Sequence, residues 1–146
     1  MTLILADLTK VSSFNPTMDE KEHRRLIDQD LQRLFIGLRP DKVFTLTDAA
    51  TIETDATRSF HFRVTLGGNR TLGNPTSGRD GQKLMWEIIQ DSTGNRTLTF
   101  DTKFVFGSDI PDATLTTSAT YRDFIGAVYN SVTDKWYVIA LARGYA

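Results

Sequence analysis

His23 and His61 are the only histidines in this 146-residue chain, and it contains no cysteine. Proton transfer, nucleophilic attack and metal ligation draw heavily on these two residue types, so few reactive constellations remain. His23 sits among charged neighbours. His61 falls on the polar side of an alternating run, where a solvated or hydrogen-bonded imidazole is the expected state. Asp109-Ile110-Pro111-Asp112 brings two carboxylates into one loop, the ligand type that calcium takes, but solvated acids in a turn explain it as well. Neither G-x-x-x-x-G-K nor G-x-G-x-x-G occurs, so the glycines spell no phosphate cradle. Ser77-Gly78-Arg79-Asp80-Gly81 contains Arg-Asp-Gly rather than Arg-Gly-Asp and reads as a loop. Asn69-Arg70-Thr71 and Asn95-Arg96-Thr97 match the glycosylation sequon without a secretion signal to give it meaning. Catalytic residues, cofactors and metal ligands are all expected to be none, and the chain is not expected to be an enzyme.

Composition narrows the classes further. Lys plus Arg is 17 and Asp plus Glu is 18, a formal net charge of −1. That lacks the basic excess of a protein held by phosphate contacts, so no nucleic-acid partner is expected. Forty per cent hydrophobic and 24% charged residues describe a globular chain. The early apolar run Leu3-Ile4-Leu5-Ala6 is broken by Asp7, so membrane insertion is not expected. Trp86, Trp136 and Tyr137 lie in apolar strand-like segments and read as core or subunit contacts. Tyr121 and Tyr129 are the aromatic residues most able to reach the surface, where a sugar could stack.

Three segments follow from the patterning. Residues 1–16 scatter Leu3, Ile4, Leu5, Leu8, Val11 and Phe14 with a period of neither 2 nor 3.6, which predicts an extended arm that must lie on something. These six residues are the candidate anchor to a partner. Residues 17–38 open with a capping-box pattern, Thr17-Met18-Asp19-Glu20. They then place Ile27, Leu31, Leu34 and Leu38 at a 4-3-4 spacing, the seam of a short coiled coil and a candidate trimer neck. An ordinary amphipathic helix would show the same stripe.

Residues 43–146 switch to a period of 2. Phe60, Phe62, Val64 and Leu66 alternate with polar residues. Further strands are expected at 43–47, 51–54, 83–90, 96–100, 103–106, 114–120, 123–129 and 135–142, separated by Gly, Asn, Pro and Asp turns. Short strands at this spacing predict a mainly β fold, an antiparallel β-sandwich (jelly-roll-like) head. Gly68-Asn69-Arg70-Thr71-Leu72 recurs letter for letter as Gly94-Asn95-Arg96-Thr97-Leu98, 26 residues later, which reads as two equivalent hairpin corners.

Several of these pieces occur together in a known order. Gly-Asn-Arg-Thr-Leu-x-x-Pro is followed by Gly78-Arg79-Asp80-Gly81-Gln82, by Trp86–Gln90 running into Asp91-Ser92-Thr93-Gly94-Asn95-Arg96-Thr97, and by Asp134-Lys135-Trp136-Tyr137-Val138. Over residues 44–142 the chain resembles a β domain of tailed-bacteriophage virion proteins, found in tail fibres, minor structural proteins and head-decorating spikes. The resemblance implies a virion location, a structural role and homotrimeric assembly. It transfers no catalytic residue. With the arm as anchor and the helix as neck, the expected function is a capsid-decorating or head-fibre spike, with a tail-fibre or receptor-binding tip, or a carbohydrate-binding module, as alternatives. Expected partners are further copies of the chain, other virion proteins such as the major capsid protein, and a host surface glycan.

Overall fold

The computed structural model describes residues 19–37 and 42–146, with helix side chains described as far as residue 31. Residues 1–39 and 40–146 form two separate compact units.

In the first unit, Glu20–Gly37 forms α1. Its cap is Asp19, not the expected Thr17: the Glu22 amide donates to Asp19 Oδ1 at 2.8 Å. An aspartate there satisfies an otherwise orphaned first-turn amide, and Glu20 and Glu22 add negative charge where the helix dipole favours it. Arg24 and Glu20, four residues apart, pair at 3.0 Å on the exposed surface.

Among the described residues, the second unit contains nine strands: β1 (Phe44–Thr45), β2 (Thr51–Ile52), β3 (His61–Leu66), β4 (Arg70–Leu72), β5 (Lys83–Gln90), β6 (Leu98–Phe100), β7 (Phe104–Phe106), β8 (Arg122–Asn130) and β9 (Lys135–Tyr145). They build a six-stranded sheet in the order β1-β3-β5-β8-β9-β7 and a three-stranded sheet in the order β2-β4-β6. The fold is mainly β, as expected, but its wiring is not that of an antiparallel jelly roll. β1 pairs with β3, β3 with β5, β2 with β4, β4 with β6 and β7 with β9, all in parallel. Antiparallel pairing is confined to β5–β8 and β8–β9.

The reason lies in how the chain alternates. From β1 to β6 it visits the large sheet, then the small sheet, then the large one again. Each return to a sheet therefore runs in the same direction as the visit before. The result is a parallel coil of three turns, closed by the β8–β9 hairpin.

One core lies between the two sheets. Ile52, Leu72 and Leu98 from the small sheet join Phe62, Val64, Leu66, Trp86, Ile88, Ile125 and Trp136 from the large one. Trp86 and Trp136 meet edge to face at 6.2 Å, Phe104 packs on Trp86 at 5.6 Å, and Phe62 stacks on it at 6.4 Å. Both tryptophans are fully buried, as their apolar surroundings in sequence implied.

Two local expectations fail. Residues 114–120 form no strand. Their polar groups turn to carboxylates instead: the Thr116 amide and hydroxyl donate to Asp123 at 2.6 and 2.8 Å, and the Thr114 amide donates to Asp112. Phe60 is not on the buried face with Phe62; it is exposed, and Ser59 is buried in its place. The Ser59 hydroxyl donates to the Lys42 carbonyl, and the His61 amide donates to that hydroxyl, so the alternation begins only at His61.

Candidate functional site

The six candidate anchor residues, Leu3, Ile4, Leu5, Leu8, Val11 and Phe14, lie outside the described residues. Of the candidate neck, Ile27 and Leu31 sit half-buried on α1; Leu34 falls within the helix with its side chain undescribed, and Leu38 lies outside the described residues. Among the described residues, no group of three or more His, Asp or Glu is arranged to hold a metal ion. Chemistry-bearing side chains gather instead at the corners of the coil and on the outer face of the large sheet.

The corners use the repeated sequence, though not as equivalent hairpins. At the first copy, Arg70 reaches back to the preceding coil turn, donating through Nε and Nη2 to the two oxygens of Asp48, both at 2.7 Å. At the second copy, Arg96 donates to Asp91 Oδ2 through the same two nitrogens at 3.0 and 2.7 Å. Each arginine thus holds one aspartate, once between turns and once within a turn. Arg70 holds the Asp48 carboxyl below its ordinary value, helped by the Gly67 amide. Arg96 does the same for Asp91, helped by the Gly94 and Thr93 amides. The charged form is favoured in both by donated hydrogen bonds.

The copies differ in backbone. Gly94 and Asn95 both adopt the left-handed region, at φ 72° and 59°, whereas Gly68 and Asn69 do not. Their register differs too. Thr71 stands beside Thr99, not beside its letter-equivalent Thr97, so the repeat is offset by two residues along the ladder. An even offset keeps the same faces inward, because strand side chains alternate with a period of 2. Leu72 and Leu98 are accordingly both buried. Asn69 Oδ1 accepts the Thr97 amide at 3.1 Å, and the hydroxyls of Thr71 and Thr99 meet at 2.8 Å, so the turns are stitched by side chains as well as by backbone.

The remaining motif residues are also fold determinants. Buried Gln90 accepts the Arg96 amide and donates to the Arg96 carbonyl, closing the corner after β5. Gln82 donates to the Ala56 carbonyl at 2.8 Å, which ties the Gly78–Gln82 loop to the β2–β3 connection, and Asp80 accepts the Ser131 amide at 2.9 Å, which ties it to the β8–β9 turn. Gly78 is required there, since a Cβ would lie 2.8 Å from the Trp136 ring. Asp134 accepts from Tyr129 Oη and Lys103 Nζ, each hydrogen bond to Oδ1. That contact raises the Tyr129 phenol and lowers the Asp134 carboxyl. Tyr129 thereby spends its hydroxyl within the chain.

On the outer face of the large sheet stands Glu87, 2% exposed. Arg63 Nε donates to its Oε2 at 2.7 Å and Arg122 Nη1 to its Oε1 at 3.0 Å. His61 Nε2 lies 3.4 Å from Oε2 but is not aligned for a hydrogen bond, and it is buried without a partner. Composition and spacing did not reveal this cluster. Its signal was Glu87 alone in the apolar run Leu84–Ile89, together with Arg63 on the polar side of β3; only the register that pairs those two residues joins them.

A family model described as "Putative phage tail fibre C-terminal domain" matches residues 44–120. The chain belongs to this tail-fibre family. The match spans just over half of the chain and covers the coil, from β1 through the loop before β8. Tail-fibre domains are structural components of the virion, which fits a site made of corner clamps and cross-strand ion pairs. No curated protein and no solved structure matches the chain. No described helix is long and apolar enough to cross a membrane.

Proposed function

We propose that this chain is a homotrimeric structural component of a bacteriophage tail fibre, with residues 1–42 attaching it to the particle and the β unit forming the outer head. The observation that supports this reading is where the family match falls. It covers the coil and leaves residues 1–43 outside, the segment that carries the apolar arm and the helix seam. Attachment specific to one particle belongs in the part the family does not share. The β unit spends its conspicuous polar residues on its own corners, which suits a rigid projection.

Gold-labelled antibodies against residues 44–146, applied to intact particles, test the location. Label on the tail fibres is the expected result. Label distributed over the capsid would replace it with the head-decorating alternative. Binding of isolated protein to host glycan, abolished by changes at Tyr121, would favour the carbohydrate-binding alternative. Deleting residues 2–14 should leave intact trimers that fail to join the particle; if the deleted chain still incorporates, the anchor lies in the β unit.

A further inference from the structure

The outward face of the large sheet carries more positive than negative charge, although the chain as a whole stands at −1. Strand side chains alternate between faces. Buried Leu84, Trp86, Ile125 and Trp136 therefore place Lys83, Glu87, Arg122 and Lys135 outward, with Arg63 beside Glu87 in register. Toward the β8–β9 turn, Lys135 donates to the Thr102 carbonyl and Lys103 holds Asp134. Lys83 lies four residues from Glu87 along β5, about 13 Å between Cα atoms. That exceeds the screening length of about 8 Å in physiological salt, so the charges at that end and those around Glu87 act separately.

Around Glu87 two guanidiniums share one carboxylate. At the corners each arginine holds an aspartate of its own through two nitrogens, whereas here Arg63 gives Glu87 only Nε and Arg122 only Nη1. A guanidinium has five N–H donors, and the remaining donors of this pair meet no partner among the described residues. Arg122 Nε is buried in that condition. Glu87 is 2% exposed, while the arginine side chains that it fixes stay 43% and 40% exposed. What faces solvent is therefore cation, held in place, with its counter-charge beneath. An aromatic pair adjoins it. Tyr145 is in register with Arg122, half-exposed, and its ring meets that of Phe124 at 5.5 Å.

The geometry points to a binding site for an acidic sugar, its carboxylate taken by Arg63 and Arg122 and the apolar face of its ring lying on Tyr145 and Phe124. Charge selects the anion. Two guanidiniums less one Glu87 leave a single positive charge, which a carboxylate matches, whereas a phosphate monoester at about −1.5 to −2 would exceed it. The rings select the carrier. An aspartate or glutamate from another protein brings no flat apolar face to cover Tyr145, and a pyranose does. A nucleic acid draws its affinity from many phosphate contacts in succession, and the lysines of this face stand apart from the arginine pair. The site is complete within one chain, so it stands or falls separately from trimer formation and from location on the tail.

The test titrates the full chain with oligosaccharides containing glucuronic, galacturonic or sialic acid, each beside its neutral counterpart. At least one acidic oligosaccharide should bind and its counterpart should not, with affinity falling as salt rises. Arg122→Lys keeps the charge and removes the fork, and should weaken binding about tenfold or more. Tyr145→Ala should weaken it severalfold. Arg79→Gln removes one charge from an exposed loop and should bind like the wild type. Thermal melts accompany each variant. Tyr145 is half-exposed, so Tyr145→Ala remains decisive if Arg122→Lys melts early. Folded wild type that binds none of the acidic oligosaccharides overturns the proposal and leaves the structural tail-fibre reading standing. Unchanged affinity in Tyr145→Ala and in folded Arg122→Lys also overturns it, as does an equal loss in Arg79→Gln, which would mean diffuse attraction. Inorganic phosphate that displaces the oligosaccharide as well as free uronic acid does would reduce the site to a bare anion trap and overturn the sugar assignment.

Discussion

Glu87 illustrates how unequal the contributions of single residues are. Its carboxylate is nearly inaccessible, while its two arginine partners are not, so Coulomb attraction is partly screened and the cost of breaking the cluster falls below that of a fully buried pair. Glu87→Gln should cost about 1–3 kcal/mol, because an amide would leave the guanidiniums short of an acceptor; urea denaturation measures it. Trp86→Ala removes the ring that touches Phe62, Phe104 and Trp136 and should cost about 3–5 kcal/mol. It also strips Thr54 Oγ1 of the indole N–H donated at 3.1 Å.

The corner aspartates set the response to acid. Asp48 and Asp91 are both held below the ordinary value of 3.8. Below that value the unfolded chain takes up protons that the folded chain still refuses, so unfolding becomes easier. Stability from these clamps is complete above 3.8 and is lost as pH falls through the lowered values. Thermal melts between pH 5 and 2 should therefore show a falling midpoint below about 4, with a shallower fall in Asp48→Asn. An equal slope in wild type and variant would contradict the Asp48–Arg70 account.

At the scale of elements, the repeated pentapeptide separates what sequence shows from what it conceals. Residue types revealed both corners, since Gly-Asn before Arg-Thr-Leu marks a turn entering a strand. The conformations could not be read there, because tertiary hydrogen bonds decide them. The Asn95 amide donates to the Thr117 carbonyl at 2.8 Å and pulls the second copy into the left-handed region, with no counterpart at Asn69. The copies should then respond differently to the same substitution. At Gly94, a Cβ would meet the Thr117 carbonyl oxygen at 2.6 Å in a conformation that already disfavours side chains. At Gly68 the nearest atoms would be those of the Arg70 guanidinium, the end of a side chain that can shift at some expense to its Asp48 clamp, rather than backbone. Gly94→Ala should lower the melting temperature clearly more than Gly68→Ala, and the reverse order would refute the distinction.

Strand positions were legible for the same reason that their pairing was not. Period-2 alternation reports which face is buried, and it located β3, β5, β8 and β9. Parallel or antiparallel pairing depends on where the chain goes between strands, and alternation carries no such information. The stretch at 114–120 misled because threonine suits both strands and polar loops; buried Asp123 decided for the loop. Glu87 remained hidden because its partners come from β3 and β8, 24 and 35 residues away in sequence.

For the whole molecule, the division into two units carries the main prediction. Residues 40–146 hold the entire described core, so a chain of 40–146 alone should give a β-type circular dichroism spectrum and a single cooperative melt. An unfolded product would show that residues 1–39 complete that core. The virion role was legible through motif order rather than through reactive residues, since a structural module leaves no catalytic signature to read.

Trp136 follows Trp86 by fifty residues yet shares its packing, and that separation governs timing during synthesis. A ribosome delivers β1 through β6 first, in the order in which the coil winds. Those turns cannot seal their interior, because the second indole and both strands of the closing hairpin are still inside the exit tunnel or not yet joined. The growing chain waits with β5, and then β8 once it has paired on β5, offering an unfilled edge to any passing strand. A message truncated between the codons for Asn130 and Trp136 would therefore yield an aggregation-prone product rather than a slightly smaller head, and cells making it would collect it in inclusion bodies.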